Sequence, residues 1–456
     1  MTQLKELKTE DSHLCQGYGA PSRTEGGGPI AESSAVGDRY SVIGHPACSI
    51  ALLTGGADKP YVLGLAEALT LAGVAIDVIG SDDLTVPELL DNPRVGFLNL
   101  RGDQSSDAGL ARKIKRILTY YWRLICYTAT GQPKLFHILW NNKFELFDRT
   151  FLMLYYKLMG KRVVLTAHNV NRRKRDSTDS WLNRLSLRIQ YQLSDHTFVH
   201  TDRMKEELVS AFAVSADQVS VIPFGINNTV PKTSITATGA RQLLGIAERD
   251  KTILCYGQIA PYKGLEYLIA AFARILKEDG NYRLIIAGKP KWNRMYWKRV
   301  EQLIIDSGIR HRIVERIEHV PDKETELYFK AADVLVLSYT EVFQSGVIFL
   351  GYSFGLPAIV SDVGSLKQEI IEGETGFVFT PRDSSDLARK IDEYFHSELF
   401  RNLETRRSQI KHYANERYSW SKVANITTSI YSRLLTSDLS RLSCNETSRF
   451  VAFFRF

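Results

Sequence analysis

Residues 333–365, "DVLVLSYTEVFQSGVIFLGYSFGLPAIVSDVGS", contain two short apolar runs separated by a helix-like segment. The runs "DVLVLS" and "PAIVS" have the length and the β-branched content of buried strands. Between them lies "GVIFLGYSFG", which opens after a Gln-Ser-Gly turn and closes at Gly355 and Pro357. Parallel neighbouring strands need a long crossover connection, usually a helix. This stretch therefore predicts one strand-helix-strand unit of a parallel sheet.

Apolar runs and amphipathic segments alternate in the same way over most of the chain. The alternation begins at "CSIALLTGG" and continues through the predicted strands "AIDVIG", "VGFLNL", "LFHILW", "RVVLTAHN", "HTFVHT" and "VSVIPFG". After the stretch "INNTVPKTSITATG" it restarts with "KTILCYG", "YRLIIAG", "HRIVERI", "DVLVLS", "PAIVS" and "GFVFT". We predict an α/β protein in which two doubly wound, Rossmann-like parallel-sheet domains face each other across a cleft. The predicted boundaries are a disordered leader at 1–46, domains at 47–228 and 229–417, a helix at 418–436 and a tail at 437–456.

Composition excludes several classes of protein. The 456 residues suffice for two domains, and the net charge of +7 is modest. The five cysteines lack paired or metal-ligand spacing, the N-terminal segment lacks an apolar signal region, and no apolar run approaches about 18 residues. We expect a reduced, cytoplasmic protein. DxD, HExxH and Walker motifs are absent from the sequence, which disfavours hydrolase and kinase functions and predicts no metal.

Glycine turns follow several predicted strands: Gly55 and Gly56 after "LLT", Gly257 after "KTILCY", and Gly364 after "PAIVSDV". Glycine lets a ligand approach the backbone, and a following helix N-terminus offers N–H groups to an anion. Each single turn has an equally good steric explanation, but several at strand ends favour a ligand. Lys263 follows one such turn by a short loop, although it could equally be a solvated surface lysine.

Gln344, Ser345 and Gly346 open the next helix-like segment, and their amides could hold a second phosphate. Together with Lys263, these amides predict a diphosphate site. His168 ends the strand "RVVLTAH", where a side chain can reach a ligand at the cleft edge. A lone histidine is more often structural, and we favour function because of its position.

Basic residues cluster in the first half of the chain. In "ARKIKRILTYYWRLICY" an apolar stripe is surrounded by Arg112, Lys113, Lys115, Arg116 and Arg123. Arg172 and Arg173 lie in "NRRKR", close to His168. Such a helix can lie on an anionic membrane surface, while packing on the core with a solvated basic face is the alternative. We expect a membrane-bound anionic acceptor. Nucleic-acid binding is disfavoured because the helix lacks a recognised reader module.

A set of motifs carries a family resemblance: "GG" at Gly55, "TAHNV", "VIPFGIN", "YGQIAPYKGLEYLIAAF", "AADVLVLSY", "SGVIFLGYSFGLPAIVSDVGSLKQEIIEGETGFV" and "YSWSKVANITTSIY". Together they resemble the retaining glycosyltransferases of family 4, which have the GT-B fold. The resemblance implies hexosyltransferase-type transfer from a nucleotide-diphospho-sugar bound by 229–417 to an acceptor bound by 47–228, with 418–436 crossing back onto the first domain. It implies no cofactor and no metal.

The resemblance also implies roles for individual residues. Lys263 would bind the diphosphate, amides around Ser345 would cap it, Val320 would lie against the base, and His168 and Glu341 would face the sugar. The predicted catalytic residues are His168, Lys263 and Glu341, and the predicted donor-binding residues are Gly55, Gly56, Gly257, Gln258, Val320, Gln344, Ser345, Gly346, Val347 and Gly364.

Two positions depart from the family pattern. Gln258 stands where the family commonly has an arginine beside the glycine. The family also has two glutamates eight positions apart, whereas Glu341 is followed eight residues later by Phe349. Counting back from Pro357 instead places Val342 and Leu350 at the two glutamate positions. One positive charge and the carboxylate that normally holds the ribose are therefore missing.

Three functions are consistent with this pattern. The leading one is extension of a glycan or lipid-linked acceptor in surface polysaccharide biosynthesis, peripherally on the inner face of the plasma membrane. A sugar-nucleotide epimerase of the same fold would have little use for the basic helix. A catalytically degenerate partner subunit of a transferase would explain the two departures.

Overall fold

The computed structural model describes residues 50–56, 58–105, 109–175, 178–291 and 294–453, without the side chains of Arg175 and of residues 437–453. The predicted leader lies outside these ranges, and so do the side chains of the predicted tail. None of the helices in the described ranges combines the length and apolar character needed to cross a bilayer.

The first half of the chain forms a seven-stranded parallel sheet. Its strands are β1 (Ile50–Leu53), β2 (Ile76–Gly80), β3 (Val95–Asn99), β4 (Leu135–Ile138), β5 (Arg162–Thr166), β6 (His196–Val199) and β7 (Val219–Val221). Their spatial order is β3-β2-β1-β4-β5-β6-β7. The helices of this half are α1 (Lys59–Leu71), α2 (Pro87–Leu90), α3 (Leu110–Thr130), α4 (Glu145–Phe147), α5 (Met153–Leu158), α6 (Arg172–Arg175), α7 (Trp181–Leu193) and α8 (Asp202–Phe212). The alternation of apolar runs and amphipathic segments in the sequence predicted this sheet.

The second half forms a six-stranded parallel sheet. Its strands are β8 (Lys251–Tyr256), β9 (Tyr282–Ala287), β10 (Ile313–Arg316), β11 (Val334–Leu337), β12 (Ala358–Ser361) and β13 (Gly376–Phe379), in the order β10-β9-β8-β11-β12-β13. The helices are α9 (Ala237–Leu243), α10 (Leu265–Glu278), α11 (Met295–Asp306), α12 (Asp322–Ala331), α13 (Gly346–Ser353), α14 (Ser384–His396), α15 (Glu398–Arg401) and α16 (Leu403–Arg417). The prediction of two doubly wound parallel sheets is confirmed.

Both sheets reverse their strand order at one point. In the first sheet β1 pairs with β4 as well as β2, and in the second β8 pairs with β11 as well as β9. On either side of these points the crossover helices lie on opposite faces, so a crevice opens beyond the strand ends. The loops that follow β1, β4, β8 and β11 are therefore the loops placed to line a site.

The last helix, α17 (Trp420–Phe453), packs against the first half of the chain. Its residues Val423, Ala424 and Tyr431 are buried among side chains of β1, β2 and α1. The Tyr431 hydroxyl lies 2.6 Å from His137 Nδ1, in β4. At the start of α17 the Trp420 indole N–H donates to the Ile226 carbonyl at 3.0 Å. The helix thus ties the end of the chain to the first sheet.

The indole ring of Trp420 packs against Gly64, which lies within α1. A Cβ atom built on Gly64 would lie 2.1 Å from Trp420 Cε2, so alanine cannot be accommodated without moving the indole. We predict that Gly64→Ala lowers the free energy of unfolding by about 1–3 kcal/mol, the usual cost of overpacking, although alanine favours helix. Urea unfolding measures this change.

The matched control is Gly239→Ala in α9. A Cβ there would meet its nearest neighbour at 3.4 Å, an ordinary contact. Alanine should then be neutral or stabilising by up to about 1 kcal/mol through helix propensity. Equal destabilisation by both substitutions would contradict the contact between Gly64 and Trp420.

Candidate active site

A cavity of about 310 Å³ opens at the switch points of the two sheets. From the second half it is lined by Gln258, Tyr262, Lys263, Tyr339, Val342, Gln344, Ser345, Gly346, Val347 and Leu350. The first half contributes Asp58, Pro60, Tyr61, Phe224, Gly225 and Asn227, and α17 contributes Trp420. Ligand pockets of about 300 Å³ or more are typical of small-molecule sites. We call this space the cleft cavity.

Lys263 is the buried cation of the cleft cavity. It ends the 3-10 turn Pro261–Lys263 after β8 and is only 6% exposed. Its ammonium contacts the Tyr339 hydroxyl and lies 4.1 Å from the centre of that ring. The same hydroxyl lies 3.1 Å from Ser345 Oγ. Lys263, Tyr339 and Ser345 therefore form one connected polar network at the cavity wall.

Ser345 is the N-cap of α13. Its hydroxyl accepts a hydrogen bond from the Val347 N–H at 3.4 Å. The first turn of α13 carries no acidic side chain, so the partial positive charge of this helix end faces the same wall as Lys263. An ammonium beside a helix N-terminus is an arrangement that suits an anion with several oxygens.

Five of the predicted donor-binding residues come together here: Gln258, Gln344, Ser345, Gly346 and Val347 line the cavity with Lys263. Gly257 lies beside them, because a Cβ built on it would be 3.3 Å from a Val347 methyl carbon and 3.8 Å from Lys263 Nζ.

The other predicted glycines and Val320 lie elsewhere. A Cβ on Gly55 would meet the Trp140 carbonyl oxygen at 2.3 Å, and one on Gly364 would meet that of Val342 at 1.9 Å. Both glycines allow two loops to touch, while Gly56 faces open space. Val320 is buried in the core of the second half and does not line the cleft cavity. For Gly55 and Gly364 the close packing of loops explains the residue type without a ligand.

The structure decides which of the two alternative glutamate registers faces the cavity. Glu341 is exposed and is not on the cavity wall, whereas Val342 and Leu350 are. Phe349 is buried and stacks on Phe224 with ring centres 5.4 Å apart. The position at which a second family glutamate would face the ligand is thus occupied by Leu350.

A buried carboxylate that sequence reasoning missed lies behind this wall. Glu369 is 6% exposed and accepts hydrogen bonds from Gln344 Nε2 at 3.3 Å and from the Tyr418 hydroxyl. Burial raises the pKa of Glu369, and the hydrogen bond from Tyr418 opposes that rise. Glu369 therefore holds Gln344, which lines the cavity. Tyr61, Phe224, Tyr339 and Trp420 were also missed, because aromatic residues scattered over the chain show no local motif.

His168 lies next to the cleft cavity but does not line it. Its ring stacks on Trp140 with centres 3.8 Å apart, and its Nδ1 lies 2.9 Å from His200 Nε2. The Tyr61 ring, 4.7 Å from that of His168, stands between it and the cleft together with Phe224. His168 instead lines a second cavity of about 140 Å³ in the first half. Within the described side chains, its buried Nε2 atom has no hydrogen-bond partner.

The predicted basic residues of α3 lie on an amphipathic helix with two apolar stripes. Tyr121 and Leu124 pack inward, and Leu110, Ile114, Leu118 and Trp122 are 50–75% exposed. The neighbouring segment α4–α5 also exposes Phe151 and Leu158, at 69% and 71%. Of the predicted basic residues, Arg112, Lys115 and Arg123 are exposed, whereas Lys113 and Arg116 are half-buried. We call the exposed residues of α3 and α4–α5 the basic apolar face.

Within the described ranges, no three His, Cys, Asp or Glu side chains form a group that could hold a metal ion.

Comparisons with known proteins agree with this geometry. A model of "Glycosyltransferase Family 4" matches residues 55–229, and one of "Glycosyl transferases group 1" matches residues 238–417. Sucrose-phosphate synthase from Thermosynechococcus elongatus shares the fold with a TM-score of 0.67 at 19% identity, covering 85% of this chain and 99% of that one. Anabaena HepE, solved with UDP and glucose, has a TM-score of 0.65 at 16% identity, covering 84% and 99%. The chain belongs to the family 4 glycosyltransferases and has the GT-B fold.

Sequence relatives match parts of the chain. An uncharacterized glycosyltransferase from Methanocaldococcus jannaschii is 32% identical over 233 residues, which are 50% of this chain and 57% of the relative. A D-inositol 3-phosphate glycosyltransferase from Corynebacterium efficiens is 26% identical over 292 residues, 60% of this chain and 66% of the relative. The chain thus spans 57% and 66% of the length of these two relatives.

Buried histidines of the first half make its stability depend on pH. Burial lowers the pKa of His137 to about 3 and that of His200 to about 4. In the unfolded chain these rings bind protons below about pH 6.5. The unfolded state then binds more protons than the folded state, so the free energy of unfolding falls between pH 6.5 and pH 4.

We predict that His137→Gln removes part of this dependence. Each histidine held neutral contributes up to about 1.4 kcal/mol per pH unit below its unfolded pKa. The variant should lose less stability than the wild-type chain between pH 7 and pH 5 in urea unfolding. His412→Gln is the control, because this side chain is 76% exposed. An unchanged pH slope in His137→Gln would contradict the burial of a neutral ring.

Proposed function

We propose that the chain transfers a sugar from a nucleotide-diphospho-sugar bound in the cleft cavity to an acceptor hydroxyl. The observation that carries this proposal is the network of Lys263, Tyr339 and Ser345 at the N-terminus of α13. It supplies a buried ammonium, two hydroxyls and helix amides on one wall. The Anabaena protein HepE, of the same fold, was solved with UDP and with UDP-glucose, which supports a donor of this chemical class.

In this reaction the bond between the sugar anomeric carbon and the diphosphate oxygen breaks, and negative charge grows on the leaving diphosphate. Fixed positive charge and oriented amides stabilise such a transition state more than they stabilise the ground state. Lys263 and the first turn of α13 take this role, so that no resident metal is required. In the retaining mechanism the acceptor hydroxyl attacks from the same face, and the leaving phosphate oxygen receives its proton.

The opposite wall of the cavity would position the sugar. Asp58 lines the cavity and caps α1, because its side chain accepts a hydrogen bond from the Tyr61 N–H at 3.4 Å. A carboxylate and the aromatic residues Tyr61, Phe224 and Trp420 are groups that bind sugar hydroxyls and the apolar face of a sugar ring. Burial and the neighbouring His200 hold the pKa of His168 well below its usual range, and His168 would reach the sugar only if the Tyr61 side chain moved.

The acceptor is proposed to be a glycan or a lipid-linked glycan of surface polysaccharide biosynthesis. The basic apolar face supports this assignment, since exposed leucine, tryptophan and phenylalanine next to arginine and lysine match an anionic bilayer surface. Docking through this face would bring the first half of the chain to a membrane-bound acceptor.

One observation favours a second candidate, a catalytically degenerate partner subunit. Leu350 and Gln258 line the cavity where the family has a carboxylate and an arginine. A subunit of this kind would bind or position another transferase without turnover of its own. Activity of the purified chain separates the two candidates.

We predict that Lys263→Ala lowers turnover at least about 100-fold, because the buried charge on the leaving diphosphate is lost. The measurement is release of nucleoside diphosphate from a panel of nucleotide sugars, together with UDP titration by calorimetry. Lys251→Ala is the control. Lys251 begins β8, at the amino-terminal ends of the strands, and its Nζ atom lies 2.9 Å from Asp279 Oδ2. Equal turnover in Lys263→Ala and the wild-type chain would exclude the proposed mechanism.

We predict that Leu118→Glu combined with Trp122→Glu weakens binding to phosphatidylglycerol vesicles at least about tenfold, since two exposed apolar contacts are replaced by negative charge. Vesicle co-sedimentation measures the change, and added salt should weaken wild-type binding as well. Leu71→Glu is the control, because Leu71 is 79% exposed at the end of α1, outside the basic apolar face. Similar losses in both variants would argue against this face as the docking surface.

A further inference from the structure

The second cavity of the first half contains an unusual group of charges. Glu145 Oε2 lies 3.1 Å from Arg149 Nη2 and 3.3 Å from Arg173 Nη2, and Glu145 Oε1 lies 2.8 Å from Arg172 Nη2. Three guanidinium groups thus share one carboxylate, which leaves a net charge of +2 in the cluster. Glu145, Arg149 and Arg172 line this cavity together with His168.

Part of this charge is removed from solvent. The side chain of Arg149 is only 11% exposed and that of Glu145 only 18%. Arg149 Nη1 donates to Asn183 Oδ1 at 2.9 Å, but its Nε atom is buried without a hydrogen-bond partner within the described side chains. Arg172 and Arg173 are 58% and 45% exposed, so the positive charge that Glu145 does not balance lies on the solvent side of the cluster, where an anion can reach it.

Position and size indicate what this anion belongs to. The cavity lies at the carboxyl ends of β4 and β5, where doubly wound sheets bind ligands. Its volume of about 140 Å³ is below that of a typical pocket for a whole small molecule, yet it has room for one charged group. His168 lines this cavity, and its neighbour Tyr61 lines the cleft cavity. A single aromatic layer therefore separates the two cavities.

We propose that the cluster of Arg149, Arg172 and Arg173 binds a phosphate group of the acceptor, and that the Tyr61 side chain moves aside so that the remainder of the acceptor reaches the cleft cavity. A net charge of +2 matches a phosphate dianion better than a carboxylate, and guanidinium groups bind phosphate in bidentate geometry. Glu145 holds the arginines in place and competes with the phosphate for them. This assignment rests on the proposed glycosyl transfer for its acceptor role, but the phosphate binding can be measured by itself.

The test is calorimetric titration of the full chain with inorganic phosphate in the presence of excess UDP. Arg172→Ala combined with Arg173→Ala should weaken phosphate binding about tenfold, because two charged contacts are lost. Glu145→Gln should instead strengthen it several-fold, since the competing carboxylate is neutralised. If Glu145 served only to hold the arginines in place, Glu145→Gln would not strengthen phosphate binding. Arg310→Ala is the matched control, because Arg310 is 48% exposed and pairs with Glu301 and Glu315 away from this cavity.

Phosphate affinity that is equal in the wild-type chain and the double arginine variant would overturn the proposal, and so would the absence of any measurable binding. UDP titration without phosphate reports on the donor proposal separately, because Arg172 and Arg173 do not line the cleft cavity. A failure of UDP to bind would therefore contradict the donor assignment while leaving an arginine-dependent phosphate site intact.

Binding of the double arginine variant to vesicles and to a soluble sugar phosphate distinguishes two sources of the phosphate. If it belongs to a lipid headgroup, the double arginine variant should lose affinity for vesicles containing phosphatidic acid and keep its affinity for phosphatidylglycerol vesicles. If it belongs to a soluble sugar phosphate, the variant should lose affinity for glucose 6-phosphate and bind both vesicles like the wild-type chain. Either pattern supports the site, and no effect of the substitutions on any of these probes overturns it.

Discussion

Within each sheet all strands run parallel, and this constraint organises the rest of the molecule. Parallel neighbours require a crossover for every connection, so helices cover both faces and the strands are buried. All carboxyl ends of a sheet then lie at one edge, and the order of the strands reverses between β1 and β4 and between β8 and β11. The cleft cavity draws most of its lining from the segments after β1, β8 and β11, together with residues that follow β7. Its location follows from topology, whereas its chemistry depends on a few side chains.

Those side chains divide the site into two electropositive regions separated by aromatic rings. Lys263, Tyr339 and the start of α13 form one region, and the arginine cluster around Glu145 forms the other. Tyr61, His168 and Phe224 lie between them. Such an arrangement would allow two anionic substrates to lie close together without direct repulsion, each next to its own cations. The aromatic layer would also keep water from the reacting groups.

Sequence reasoning was most successful where the signal was local. Alternating apolar runs predicted the strands, and short motifs predicted Lys263 and Ser345 as neighbours of one site because strand ends converge at one edge. It was less successful where contacts join distant segments. Gly55 and Gly364 lie against other loops, and Leu350 rather than Glu341 faces the cavity. The apolar residues of α3 also divide into an inward and an outward stripe, which periodicity alone does not distinguish from one broad face.

By itself, the sequence determined the fold class, the two parallel sheets and the wall of the cleft cavity that holds Lys263 and Ser345, because hydrophobic periodicity and glycine turns are properties of short segments. Only the tertiary structure decided that Trp420 packs against Gly64 at the cleft cavity, that aromatic rings separate His168 from this cavity, and that three arginines converge on Glu145. These contacts join residues from separate elements, and the distances between their atoms are set by packing rather than by any spacing along the chain.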